Sequence, residues 1–111
     1  MYWKATSPSV AKTISVSTDN GQTWTNYTSS TSGTQIATLE SSSQKLLIKG
    51  SNTRYTNSST SGYNYFSTSS DPIYIEGNIM SLVYGDDFAN YTTLNNNTYA
   101  FCSLFTGCTS I

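Results

Sequence analysis

The chain has 111 residues, of which 36% are hydrophobic, 14% aromatic and only 10% charged, with a formal net charge of −1. That length is one domain with a modest core, and there is no basic surplus to neutralise phosphates, so nucleic acid is not an expected partner. The chain contains no histidine, and its two cysteines, Cys102 and Cys108, are not in C-x-x-C spacing, which argues against zinc and removes Ser-His-Asp and Cys-His chemistry.

Serine and threonine supply about a third of the residues, so the surface is polar without charge; charged residues usually make up about 25% of a soluble domain. A composition of this kind suits a flexible stalk. Against that stand nine Tyr, four Phe and two Trp, and apolar residues that recur in short β-like runs, which predict an ordered all-β domain. There is no run of about 18 apolar residues to span a bilayer and no cationic amphipathic segment to lie on one, so no membrane insertion is expected. Met1-Tyr2-Trp3-Lys4 is not followed by the apolar stretch of a signal peptide. An extracellular, cell-surface or virion location is nevertheless expected, reached as a mature segment or by another route such as phage lysis.

In chain order, residues 12–17 (KTISVS) alternate Ile14 and Val16 with polar neighbours, the period of a half-buried strand. Asp19-Asn20-Gly21 makes a turn, and residues 23–28 (TWTNYT) return as the second strand of a hairpin. Residues 35–39 (QIATL) read as a short strand. Residues 45–50 (KLLIKG) are another, with an apolar triplet between two lysines that discourage edge pairing. Tyr63-Asn-Tyr-Phe66 is a further strand, and Asp71-Pro72 a turn that keeps the chain out of a helix.

Residues 73–84, I-Y-I-E-G-N-I-M-S-L-V-Y, hold the densest set of aliphatic side chains and read as two β segments meeting at Glu76-Gly77-Asn78. Burial of Ile73, Ile75, Ile79, Leu82 and Val83 is expected, each worth roughly 1.5–3 kcal/mol. After Asn95-Asn96-Asn97 the period changes: Phe101, Leu104, Phe105 and Cys108 fall on one helical face. A helix of two to three turns is predicted there, started by Asn97 or Thr98 and stopped at Gly107, followed by an extended Thr109-Ser110-Ile111. A disulfide between Cys102 and Cys108 requires that the segment not be a regular helix, whose six-residue separation is about 9 Å of rise; the plainer expectation is two small buried thiols.

The ordered series I-S-V-S, D-N-G-Q-T-W-T, L-L-I-K-G-S-N-T-R-Y, I-E-G-N-I-M-S-L-V-Y-G-D-D-F and L-F-T-G-C-T-S-I resembles the pre-repeat segment of BspA-like leucine-rich-repeat surface proteins of Bacteroidales and their phages. The resemblance runs from about Lys12 onward. It implies that residues 98–111 begin a first repeat, with residues 1–97 a β-sandwich-like body and the whole one structural domain. A lone repeat cannot bury its own face, so binding by a concave repeat surface does not transfer to this chain.

The expected fold is therefore mainly β: a small antiparallel β-sandwich-like domain with a short C-terminal helix leading into a first-repeat stub. Asp86, Asp87 and Asn90 could ligate calcium, but the D-x-D-x-D-G spacing is missing. Glu76 with Asp86 or Asp87 could pair as glycosidase carboxylates, yet six acids make some pairing inevitable. No catalytic residue, metal or cofactor is assigned, and no enzyme is expected. The ligand-binding candidates are Trp24, Tyr27, Tyr55, Tyr63 and Tyr65, aromatics beside Asn and Thr that suit stacking on sugars or protein contact, with core burial the competing reading for Trp24 and about half the tyrosines. Phe101, Leu104 and Phe105 are the candidate joint to a repeat array. The expected role is a non-enzymatic adhesion or display module of a cell surface or phage tail, capping such an array. A self-assembling virion subunit and a stand-alone glycan-binding module are the alternatives. Partners would be a host or cell-surface protein, a glycan, or further copies of the chain.

Overall fold

The computed structural model describes residues 1–41, 43–58, 61–68 and 73–108. The predicted Asp71-Pro72 turn and the extended tail Thr109-Ser110-Ile111 lie outside the described residues. The strands are β1 (Tyr2–Ala5), β2 (Thr13–Ser17), β3 (Thr25–Thr28), β4 (Thr34–Gln35), β5 (Leu47–Gly50) and β6 (Asn64–Ser67). They form two three-stranded antiparallel sheets, ordered β4-β1-β6 and β3-β2-β5. The chain passes back and forth between the sheets, and the mainly β, sandwich-like architecture is the one its composition and periodicity predict.

Period-two alternation decides what lies between the sheets. From β1 come Trp3 and Ala5, from β6 Asn64 and Phe66, and from β2 Ile14 and Val16, all buried. Trp3 pairs in register with Phe66, and their rings sit 4.6 Å apart. Tyr55 meets Trp3 edge-on at 5.7 Å. Ile36, Leu82 and Leu104 complete the cluster. The Trp3 indole N–H donates to the Lys12 carbonyl at 2.8 Å, so this fully buried ring leaves no polar atom unpaired.

A buried polar link joins the sheets. Asn64, with no solvent exposure, donates its amide to the carbonyls of Val10 and Tyr55 at 2.8 and 3.0 Å. Its oxygen accepts from the Ser29 hydroxyl at 2.5 Å, and Ser29 accepts from the Lys12 N–H at 2.9 Å. A side-chain amide is tolerable in a core only when it is satisfied in this way.

Two expectations are corrected. Residues 73–84 are not a pair of strands. Residues 73–78 are irregular, and the chain then enters the one α-helix among the described residues, α1 (Ser81–Tyr84), which runs into a 3-10 helix over Gly85–Asn90. Asn78 starts the turn: its side-chain oxygen accepts from the Met80 N–H at 2.9 Å and its carbonyl from Ser81 at 3.1 Å. Gly77 at φ +102° before it and Gly85 at φ +57° after it mark off the helical turn. Leu82 and Val83 are buried, but Ile75 and Ile79 are 48% and 41% exposed and Tyr74 is 96% exposed. The run is thus divided between core and surface.

The short helix of the C-terminal third is this one, and not residues 98–108. There Tyr99 and Ser103 adopt φ +61° and +62°, which interrupts any α-helix, and the chain forms linked turns closed by Cys102→Tyr99, Leu104→Phe101, Thr106→Ser103 and Cys108→Phe105 amide bonds. The reason is where the carbonyls go. Those of Ala100, Leu104 and Gly107 accept from the amides of Tyr55, Phe66 and Thr68, and that of Cys102 from the Thr56 hydroxyl. Turned sideways to residues 55–56 and to β6 and the residue after it, they point away from the direction that an i to i+4 helical bond needs. The predicted apolar face survives the change: Leu104 is buried, Phe101 stacks on Tyr55 and Phe105 on Phe66.

Candidate functional site

The site is built on the β2–β3 hairpin, whose turn is closed by its own side chains. The Asp19 carboxylate accepts from the Ser17 hydroxyl at 2.7 Å, the Thr23 N–H at 2.9 Å and the Thr23 hydroxyl at 2.5 Å. Ser17 Oγ in turn accepts from the Gly21 N–H at 2.9 Å, and the Trp24 indole donates to the Gly21 carbonyl at 3.1 Å. Hydrogen bonds from Thr23, first its hydroxyl and then its amide, with Ser17 adding a third, hold the exposed Asp19 carboxyl down at about 2. Asn20 and Gly21, at φ +61° and +86°, provide the left-handed positions of the turn.

A turn locked in this way fixes the register of the sheet and so the composition of its outer face. Ser15 lies opposite Asn26 on one side and Lys49 on the other, and Thr13 opposite Thr28. With Ile14 and Val16 turned inward, these residues and Trp24 share the outward side. The face is knitted by paired hydroxyls and amides: Thr13 with Thr28 at 2.7 Å, and Ser15 donating to Asn26 at 2.7 Å. Asn52 donates to the Thr13 carbonyl at 2.7 Å and to the Tyr55 hydroxyl at 3.1 Å.

Lys49 crosses this face. Its ammonium lies 4.1 Å above the Trp24 ring and donates to both Asp86 oxygens at 2.7 and 2.9 Å. The Lys49 side chain is 21% exposed and that of Asp86 is 84% exposed. A pair so open to water adds at most about 1 kcal/mol, and an exposed cation–π contact about the same. The cluster therefore positions charge more than it stabilises the fold. Between these side chains lies an open groove of about 270 Å³, with Thr13, Ser15, Asn26, Lys49, Asn52 and Asp86 in its wall. A second concavity, about 330 Å³, lies beside Thr18, Asp19, Asn20, Ser43 and Lys45, but its carboxylate is already committed to the hairpin turn.

The predicted aromatic set is not gathered into one place. Trp24 borders the polar face, with one side of its ring taken by Lys49. Tyr27, opposite Ile14, packs against the core. Tyr55, 1% exposed, is the clear correction: it is a core residue, its hydroxyl donating to the Leu82 carbonyl at 2.6 Å, and burial pushes it up to about 12. Tyr63 and Tyr65 are half-buried neighbours 5.6 Å apart on the outer side of the other sheet. Of the predicted joint, Leu104 is 1% exposed and has no surface to offer, while Phe101 and Phe105 keep one half-open side. Sequence reasoning missed Ser15, Asn26 and Lys49 and weighed Asp86 only as a metal or glycosidase carboxylate; strand register brings the first three together, and the 3-10 helix of Gly85–Asn90 adds Asp86. The available signal was parity: positions 13, 15, 24, 26 and 28 all face away from Ile14 and Val16.

The acidic candidates take separate partners. Glu76 pairs with Lys45 at 3.3 Å, Asp86 with Lys49, and Asp87 accepts from Asn90 at 2.5 Å. Among the described residues no three His, Cys, Asp or Glu side chains are grouped to hold a metal, and no helix is long and apolar enough to cross a membrane. Cys102 and Cys108 are free, half-buried thiols, and burial raises that of Cys108. In comparisons with known proteins, no family model, no curated protein and no solved structure matches the chain.

Proposed function

We propose that this chain is a non-enzymatic adhesion or display module of a cell surface or phage tail, working outside the cell. The observation that carries this reading is the outer face of β3-β2-β5: a plateau of paired hydroxyl and amide side chains with one ion pair among the described residues that line it. Such a surface is made for contact. Activating a nucleophile or a proton donor would need groups converging in a cleft, and the groove on this face is open and lined by one carboxylate, Asp86, paired with Lys49.

The resemblance to BspA-like surface proteins adds the role of a cap on a repeat array. In that role the joint falls to Phe101 and Phe105, whose inner sides cover Tyr55 and Phe66. The exposed Tyr74, Ile75 and Ile79 favour a second reading, a virion subunit that assembles with further copies, because open apolar surface of this kind marks contact sites. Fluorescently labelled chain incubated with whole Bacteroidales cells separates the two when combined with light scattering. Adhesion predicts saturable cell binding by a monomer. Absence of cell binding together with concentration-dependent assembly transfers the role to the virion subunit.

A further inference from the structure

The groove on the outer face of β3-β2-β5 has a chemistry specific enough to name its ligand class. We infer that it binds a neutral, polyhydroxylated glycan, with Asn26, Lys49 and Asp86 as the direct contacts and Trp24 as the residue that positions Lys49. This deepens the adhesion reading and rests on it.

Three features converge. First, the groove balances donors and acceptors. The Lys49 ammonium donates and the Asp86 carboxylate accepts. Among the described residues, the Asn26 amide N–H₂ and the Asn52 side-chain oxygen have no protein partner, their other atoms being bound to Ser15, Thr13 and Tyr55. A sugar hydroxyl both donates and accepts, so neighbouring hydroxyls can bridge a lysine–aspartate pair where a group of only one kind cannot. Second, the lining carries one positive and one negative side chain and so has no net charge. A polyanion gains at Lys49 what it loses at Asp86, and a polycation the reverse, so neither is favoured by charge. Third, the lining holds no large apolar side chain, whereas protein partners depend on aromatic or aliphatic anchors seated in a pocket. The groove is also open, and at about 270 Å³ lies near the lower bound of roughly 300 Å³ for small-molecule pockets; a polymer can run across it.

Trp24 does not serve as a stacking platform here. Lys49 covers its ring and the Gly21 carbonyl holds its indole N–H, which limits the swing of the long lysine chain. Asp86, 84% exposed, is the partner free to turn toward a ligand.

The test is affinity electrophoresis of the full chain in native gels cast with dextran, mannan, laminarin or xyloglucan, and in parallel with the polyanion alginate. At least one neutral polysaccharide is expected to retard the protein. Affinity should fall about threefold to tenfold in Asn26→Ala and about tenfold or more in Asp86→Ala, with Tyr63→Ala on the opposite sheet unchanged. Both test positions are exposed, and thermal melting confirms that the variants fold. Retardation by alginate alone, by no polymer, or equally reduced in Tyr63→Ala overturns the assignment. The cell-binding assay keeps the two levels apart: cell binding that survives Asn26→Ala and Asp86→Ala leaves adhesion standing and removes this groove, and loss of cell binding in the unaltered chain removes both.

Discussion

The two sheets have the same strand number and the same antiparallel geometry, yet they divide the work. In β4-β1-β6 the mass points inward: Trp3 and Phe66 pack there ring against tilted ring, Tyr55 closes on Trp3, and Asn64 ties the sheet to the hairpin. In β3-β2-β5 the inward residues are slighter, Ile14, Val16 and Ile48, and the specific chemistry lies outside, in Ser15, Asn26 and Lys49. Its outer side is hydrogen-bonded to itself, while the outer side of the other sheet carries half-buried tyrosines with Lys4 5.8 Å over the Tyr65 ring. What the contrast teaches is that the residues packing the core and those forming the polar outer face can be separate sets in so small a domain. Both sheets feed the core, β4-β1-β6 with the larger side chains, and β3-β2-β5 also carries the face proposed for contact.

The sharpest way to break this division is at Trp3. Trp3→Ala removes the largest buried side chain and the bond to Lys12, and should cost about 3–5 kcal/mol, a large part of a domain's usual 5–15. Urea unfolding followed by tyrosine fluorescence measures it; a loss below about 1 kcal/mol would show that the core is centred elsewhere. Asn64→Leu keeps the volume but strips the Val10 carbonyl and Ser29 hydroxyl of their partner. The expected loss is about 1–3 kcal/mol by the same method, and a neutral result would mean that the inter-sheet link is dispensable.

Gly50→Ala probes the presenting sheet from its inner side. A Cβ there would run into the Tyr55 hydroxyl and lie 2.7 Å from the Leu82 carbonyl, displacing the bond between them. Overpacking of this kind costs about 1–3 kcal/mol, and thermal melts should report it; Gly50→Ser should do no better.

Much of this organisation was legible in the sequence. The hairpin stood out because Ile14 and Val16 alternate strictly around a turn that closes on itself. Strand β5 stood out because its apolar triplet is bounded by lysines. Strand β1 escaped notice because Met1-Tyr2-Trp3-Lys4 is too short to show a period, and its partners lie far away at Thr34 and Phe66. The run at 73–84 misled because β-rich composition does not register a helical turn of four residues started by Asn78 and held against β5. At 98–108 the spacing of Phe101, Leu104 and Phe105 identified the buried face but not the backbone path, since spacing says nothing of carbonyls drawn sideways to β6. The groove was hidden for a related reason: Lys49 looks like an edge lysine and Asp86 like a solvated turn until register lines Lys49 up with Ser15 and Asn26 and the 3-10 helix brings Asp86 to it.

Acid offers a gentler test of the presenting face. Asp19 has its folded pKa depressed to about 2, below the roughly 3.9 of an unfolded chain. Its contribution is therefore complete above about pH 4 and is lost as pH falls toward 2. Amide NMR should show Gly21 and Thr23 shifting together in that window while Trp3 and Phe66 hold their positions. Movement of the core resonances at the same midpoint would show that turn and core unfold as one unit.

The central claim is that contact is made by the outer face of β3-β2-β5 and not by the tyrosine face opposite. Two-dimensional amide NMR of the full chain, titrated with fragments of whichever neutral polysaccharide retards it, tests this directly. The account predicts shifts centred on Ser15, Asn26, Lys49 and Asn52, with Tyr2, Tyr63 and Tyr65 unmoved. Shifts centred on those tyrosines, with the hairpin face silent, would contradict it.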